Sequence, residues 1–186
     1  MNRTHPKQHR ILAIAPSTRG FGFAVLEGKE TLVDWGVKSA NGDKNARSLE
    51  RLETLIAYYL PEVLIMEDHS AKNSRRSPRI RELGLQIVTA ASNRNVRVKL
   101  FSRQQVRQVF FADGRGTKHA LAEILAKRYP EELASRLPRK RHPWDSEVHS
   151  MDIFDAVALA LVFWLKKEIG LNVSGENPNS CCGTTA

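Results

Sequence analysis

Apolar residues in this chain come first in short unbroken runs and later at helical spacing. Ile11 to Ala15 is a continuous apolar run of the kind that forms a strand covered on both faces, and Phe21 to Glu27 follows it across a Gly-containing turn. "ETLVDWGVK" reads as a third strand, so three strands in quick succession predict an antiparallel meander. After the polar stretch "SANGDKNARS", Leu49, Leu52, Leu55, Ile56 and Tyr59 recur at the spacing of one helical face until Pro61 stops them.

"VLIMED" is then a short buried strand that ends in two acids. The loop "HSAKNSRRSP" leads into a helix over Ile80 to Asn93, and "VRVKLFS" supplies a fifth strand. Gln104 to Phe111 reads as a short helix or turn. A helix from Thr117 to Tyr129 follows, with Leu121, Ile124 and Leu125 on one face. A proline-punctuated basic segment, "LPRKRHPWDSEVHS", precedes a last helix from Met151 to Lys167. The order βββαβαβαα is that of an RNase H-like α/β fold, a mixed five-stranded sheet with helices on both faces.

Length and charge narrow the picture. At 186 residues the chain holds one domain with a substantial core, and two large lobes around a cleft do not fit. Residues 1–10 read as a basic arm, 11–168 as the folded domain and 169–186 as a disordered polar tail. Lysine and arginine number 29 against 20 acids, a formal charge of +9, which points to a polyanionic partner. Cys181 and Cys182 are adjacent in the tail and can neither staple a core nor supply metal-ligand spacing, so a reducing, cytoplasmic setting is expected. The N-terminus lacks the apolar core of a secretory signal, and the most apolar stretch, Ala156 to Leu165, is about half of what crosses a bilayer.

Three acids occupy positions suited to phosphodiester chemistry. Hydrolysis near neutral pH requires an activated water and a stabilised leaving oxygen, and two hard divalent ions about 4 Å apart, Mg²⁺ or Mn²⁺ on carboxylates, provide both. Glu67 stands near the end of a core strand. Asp152 and Asp155 are three apart at the start of an apolar helix, hence on one helical face. Taken singly, Asp152 is equally a helix-terminus charge, whereas Asp155 beside "AVALALVFW" needs a partner. Asp68 competes with Glu67, and His149, three residues before Asp152, is a further candidate ligand or base.

With "ILAIAPSTRGFGFAVLE", "VLIMED" and "MDIFDAVALAL" in place, the chain resembles the RuvC-type Holliday-junction resolvases of the RNase H-like nuclease superfamily over roughly residues 10 to 167. The resemblance implies a metal-dependent endonuclease, working as a homodimer on branched or four-way DNA. It carries metal-liganding, catalytic roles onto Glu67, Asp152 and Asp155. It puts the first acid at Ala15, where a methyl group stands instead of the aspartate that the family pattern leads one to expect. Either an aspartate has been replaced to disable a nuclease, or the gene encodes alanine and the protein binds without cutting or recruits Asp34 or Asp68. A non-catalytic binding protein and an RNA-processing nuclease of the same fold are the alternatives.

Two basic clusters complete the reading. "KNSRRSPRIREL" places Lys72, Arg75, Arg76, Arg79 and Arg81 just after the Glu67 strand, and "RKRHPW" places Arg139, Lys140, Arg141 and His142 beside Trp144. Cations at a helix entrance suit phosphate contacts, and an exposed aromatic among them suits stacking on an unpaired base. Lys118, at the start of its helix, is a weaker candidate of the same kind.

Overall fold

The computed structural model describes residues 9–69, 76–140, 142, 144 and 148–168. Strands β1 (Arg10–Ser17), β2 (Gly20–Glu27) and β3 (Thr31–Ser39) form the expected meander, followed by α1 (Lys44–Tyr59), β4 (Val63–Glu67), α2 (Pro78–Asn93) and β5 (Arg97–Phe101). Then come α3 (Arg103–Phe110), α4 (Lys118–Arg128), a one-turn α5 (Pro130–Leu133) continued by a 3₁₀ turn, and α6 (Met151–Glu168). The sheet runs β3-β2-β1-β4-β5, antiparallel on the meander side and parallel where β4 and β5 join.

Local chemistry places the boundaries. Asp43, Ser77, Ser102 and Thr117 each accept a hydrogen bond from an amide of the first turn of the helix that follows, and Pro78 needs no amide partner at its position. Ser102 and Gln105 bond reciprocally, which makes α3 a defined helix where the sequence left a choice between helix and turn. Two expectations shift. Arg10 is the first residue of β1 and no part of a loose arm, because its carbonyl accepts from Glu62 and its guanidinium lies 3.8 Å from Glu27. The turn after Tyr129 was not foreseen, since one buried residue, Leu133, is too short a pattern to read. Residues 1–8, the tail 169–186 with its two cysteines, Lys72, Arg75 and Arg141 lie outside the described residues.

The sheet divides the core in two. Leu12, Ile14, Leu64 and Met66 meet α1 and α2 on one face; Ile11, Ala13, Ala15 and Ile65 meet α6 and α4 on the other. Alternation along β1 and β4 therefore decides which face each side chain joins. Helix α6 is buried along most of its length, as the run Ala156 to Leu165 led one to expect, and Ala156, Ala158 and Ala160 let it lie close to the strands. No helix among the described residues is long and apolar enough to cross a membrane.

The closest approach falls at Gly22, the partner of Ala15 across β1 and β2. A Cβ at Gly22 would stand 2.1 Å from the carbonyl oxygen of Asp152. Helix α6 thus starts directly on the β2 backbone. Gly22→Ala is expected to lower stability by about 1–3 kcal/mol through overpacking, measured by urea denaturation; an unchanged midpoint would contradict this seating.

Candidate active site and nucleic-acid interface

Parallel pairing brings two strand ends together. Ile14 stands opposite Met66, so Ala15 and Glu67 follow side by side, both on the α6 face by alternation. Asp155 reaches the same place from the second turn of α6. The result is a small, solvent-open hollow bounded by Ala15, Glu67 and Asp155, by apolar Val106, Phe111 and Leu121, and by Arg103, Arg107 and Lys118. Phe111 is seated against the backbone of Gly116, where a Cβ would stand 2.1 Å from the ring. Asp152 lies round the corner, in an adjoining hollow with Ser17, Arg19, Arg76, Lys118 and His149. Three of the four positions expected from the resemblance therefore share one hollow, and the fourth, Asp152, lines a second that shares Lys118 with it.

Glu67 and Asp155 each meet a cation. Arg76 donates to Glu67 at 2.6 Å, and Arg103 lies 3.5 Å away. Burial pushes the Glu67 carboxyl up, but the Arg76 guanidinium, through charge and hydrogen bond, and then Arg103 outweigh it and hold the group below the usual range. Lys118 donates to Asp155 at 2.8 Å. Asp152 is the contrary case: burial and then the Asp155 charge push it up, while a hydrogen bond from the Ser17 hydroxyl and the charges of Lys118 and His149 oppose without prevailing. His149 Nδ1 lies 3.8 Å from the Asp152 carboxylate, beyond a hydrogen bond.

These residues do not fit a two-metal centre as they stand. A methyl group stands at Ala15, where the resemblance leads one to expect a carboxylate, and Glu67 and Asp155 are already paired with Arg76, Arg103 and Lys118. Among the described residues no three His, Cys, Asp or Glu side chains gather as a metal cage. Neither proposed substitute is in reach. Asp34 accepts from Tyr59 of α1 at 2.5 Å, on the opposite face of the sheet, and Asp68 follows Glu67 with the opposite alternation and does not line the hollow.

The other candidates divide by surroundings. Arg79 turns inward, donating to Asn45 and to the Ser17 carbonyl at 2.8 Å each, which ties α2 and the start of α1 to the end of β1. Arg81 is exposed on α2. Arg139 and Lys140 line a groove that also contains Lys118 and Met151. Trp144 is 80 % exposed and stacked on His142, ring centroids 5.0 Å apart. Lys118, weak on sequence alone, borders all three hollows.

No protein-family model matches the chain, and no curated protein matches it. Solved structures do. The RuvC structure of Thermus thermophilus superposes with a TM-score of 0.64 at 18% identity, covering 87% of this chain and 96% of that one. T. thermophilus RuvC in complex with a Holliday junction substrate gives the same TM-score at 20% identity and the same coverage. The yeast mitochondrial Holliday junction resolvase Ydc2 gives 0.56 at 14% identity, over 88% of this chain and 80% of that one. The chain has the RuvC-like RNase H fold. At these identities the likeness is one of architecture, and the site must be argued from its own residues.

Sequence reasoning missed Arg103, Arg107 and Arg19. The first two stand on α3, whose position beside Glu67 follows from the pairing of Glu67 with Phe101. The Ser102–Gln105 capping pair marks where α3 starts, but no local signal places it next to β4.

The opposite shifts of Glu67 and Asp152 predict opposite responses, measured in excess EDTA. Glu67 is held down, so its ionisation stabilises the fold above the unfolded pKa, and that contribution is lost as pH falls through the lower folded value. Glu67→Gln should cost about 1–3 kcal/mol at neutral pH, the loss shrinking in acid. Asp152 is held up, so its ionisation opposes folding once pH rises above the ordinary aspartate value. Asp152→Asn should leave stability unchanged or raise it at neutral pH, with no gain in acid. Equal losses for both variants by denaturation across pH would contradict this assignment.

Proposed function

We propose that this chain binds branched DNA as a RuvC-type endonuclease scaffold whose hydrolytic centre is disabled at Ala15. The observation that carries the reading is the convergence of Ala15, Glu67 and Asp155 in one hollow at the strand ends, ringed by Arg103, Arg107 and Lys118. The superposition on a RuvC bound to a Holliday junction supports a four-way substrate. A net charge of +9 and the groove holding Arg139 and Lys140 support sequence-blind backbone contact, and exposed Trp144 supports stacking on an unpaired base. Action on a two-fold symmetric junction calls for a homodimer.

The chemistry follows from charge. Divalent ions, when such a centre holds them, polarise the phosphodiester and activate water. Here Glu67 and Asp155 are balanced by fixed cations and the first carboxylate of the family pattern is absent at Ala15, so the hollow offers little attraction for a further positive charge. What the residues of this chain do is hold and orient an anionic backbone.

The Ala15 methyl lines the hollow, so an aspartate there adds a negative charge beside Glu67 and Asp155. The native chain is expected to bind a four-way junction in preference to duplex of the same sequence while cleaving at background. Ala15→Asp with Mg²⁺ or Mn²⁺ should raise cleavage by at least about 100-fold, the scale of the Lewis-acid contribution. Gel-resolved cleavage of labelled junctions reads this. No gain on restoration would make the chain a binding module by nature, and efficient cleavage by the native chain would overturn the reading.

A further inference from the structure

Positive charge also gathers away from the acids. Strand β3 runs parallel to β1, so its end lies at the same edge of the sheet as the β1–β2 turn, with Gly20 opposite Ser39. Three contacts join that edge to the start of α1. The Ala40 amide donates to the Arg19 carbonyl at 2.7 Å, Lys44 Nζ donates to the Thr18 carbonyl at 3.4 Å, and the Arg51 guanidinium donates to the Ser39 carbonyl. Arg19, Lys38, Lys44, Arg47 and Arg51 stand on the surface so formed, and its acids are Asp43, which caps α1 through the Ala46 amide, and Glu50. Cations elsewhere are matched: Arg76 by Glu67, Lys118 by Asp155, Arg94 by Glu53 and Arg128 by Glu30. Among the described residues, Arg19, Lys38, Lys44 and Arg47 lie within salt-bridge distance of no carboxylate. Lys38 Nζ stands 5.1 Å from the centre of the Phe23 ring instead. Like charges gathered in this way repel one another until a polyanion meets them.

We infer that the face carrying Arg19, Lys38, Lys44 and Arg47 is a docking track for a duplex arm of the nucleic acid, separate from the acid hollow. Its position favours that occupant over an acidic protein. The track lies at the same end of the sheet as Ala15, and Arg19 links the two, since it stands on the β1–β2 turn and borders the hollow beside Asp152. Strand β3 is two strands from β1, a span of roughly 10 Å at ordinary strand spacing. A backbone crossing the strand ends therefore reaches the track roughly three base pairs further along an arm, at about 3.4 Å for each. Side-chain cations of this kind meet phosphates and carry no base information. An arm is ordinary duplex, so the track adds affinity for junction and duplex alike, and any preference for a branch comes from other residues.

The inference rests on the reading of the chain as a binder of branched DNA, and one experiment separates the two. Fluorescence anisotropy measures the affinity of the full chain for a labelled four-way junction and for duplex over a series of salt concentrations. The variant Lys38→Gln/Lys44→Gln/Arg47→Gln is compared with Arg97→Gln/Lys127→Gln/Arg136→Gln, which removes the same charge from exposed positions elsewhere. The track variant should bind both DNAs at least about tenfold more weakly and lower the salt slope by roughly three, with the junction-to-duplex ratio unchanged. The control variant should lower the slope by less than about one. Circular dichroism verifies folding, and because Lys38 is half-buried, Lys44→Gln/Arg47→Gln serves as a second variant with an expected slope change of roughly two. Equal losses for track and control variants would reduce the effect to net charge and overturn the track. A folded track variant that binds like the native chain would do the same, and would leave these cations to an acidic protein. Track-dependent binding with no preference for the junction would instead sink the branched-DNA reading and leave the track standing.

Discussion

The first turn of α6 reaches the ends of β1 and β4 only because Gly22 has no side chain. That single close approach sets the depth at which Asp152 and Asp155 enter the molecule, and with it every distance in the site. The small residues Ala156, Ala158 and Ala160 continue the same contact along the helix, so the position of the acids follows from packing that is nearly incompressible. A loop-borne acid would have no comparable constraint.

Against that rigid frame, the electrostatics are unusually balanced. Carboxylates brought this close repel one another, as the upward push of Asp155 on Asp152 records. The chain answers with side-chain cations drawn from separate elements: Arg76 ahead of α2, Arg103 from α3 and Lys118 from α4. Compensation by side chains and compensation by metal ions are alternatives for the same field. With a methyl group at Ala15, the hollow holds Glu67 and Asp155 as its only acids, and side-chain cations match both.

The same cations serve two surfaces. Lys118 stands at the junction of the acid hollow, the Ser17 hollow and the groove with Arg139 and Lys140, so a backbone laid across any of them meets the same ammonium. Arg79 adds no charge to this track, yet it holds the strand end on which Ser17 stands. On the proposed reading, a few shared residues serve both binding and the fold that carries them.

Much of this architecture was legible in the chain itself. Continuous apolar runs marked the buried strands, capping residues and prolines marked helix ends, and the spacing of Asp152 and Asp155 put them on one face, because these signals act over a few residues. The expectation of an aspartate at Ala15 came from the family resemblance and not from the residues around it. What only the tertiary structure decided was who meets whom. That Arg103 would neutralise Glu67, that Lys118 would sit at the centre of the site, that Arg79 would turn inward and that Asp34 would fall on the wrong face all depend on strand order and on alternation across the sheet. Those contacts join residues far apart in sequence, and no short-range pattern encodes them.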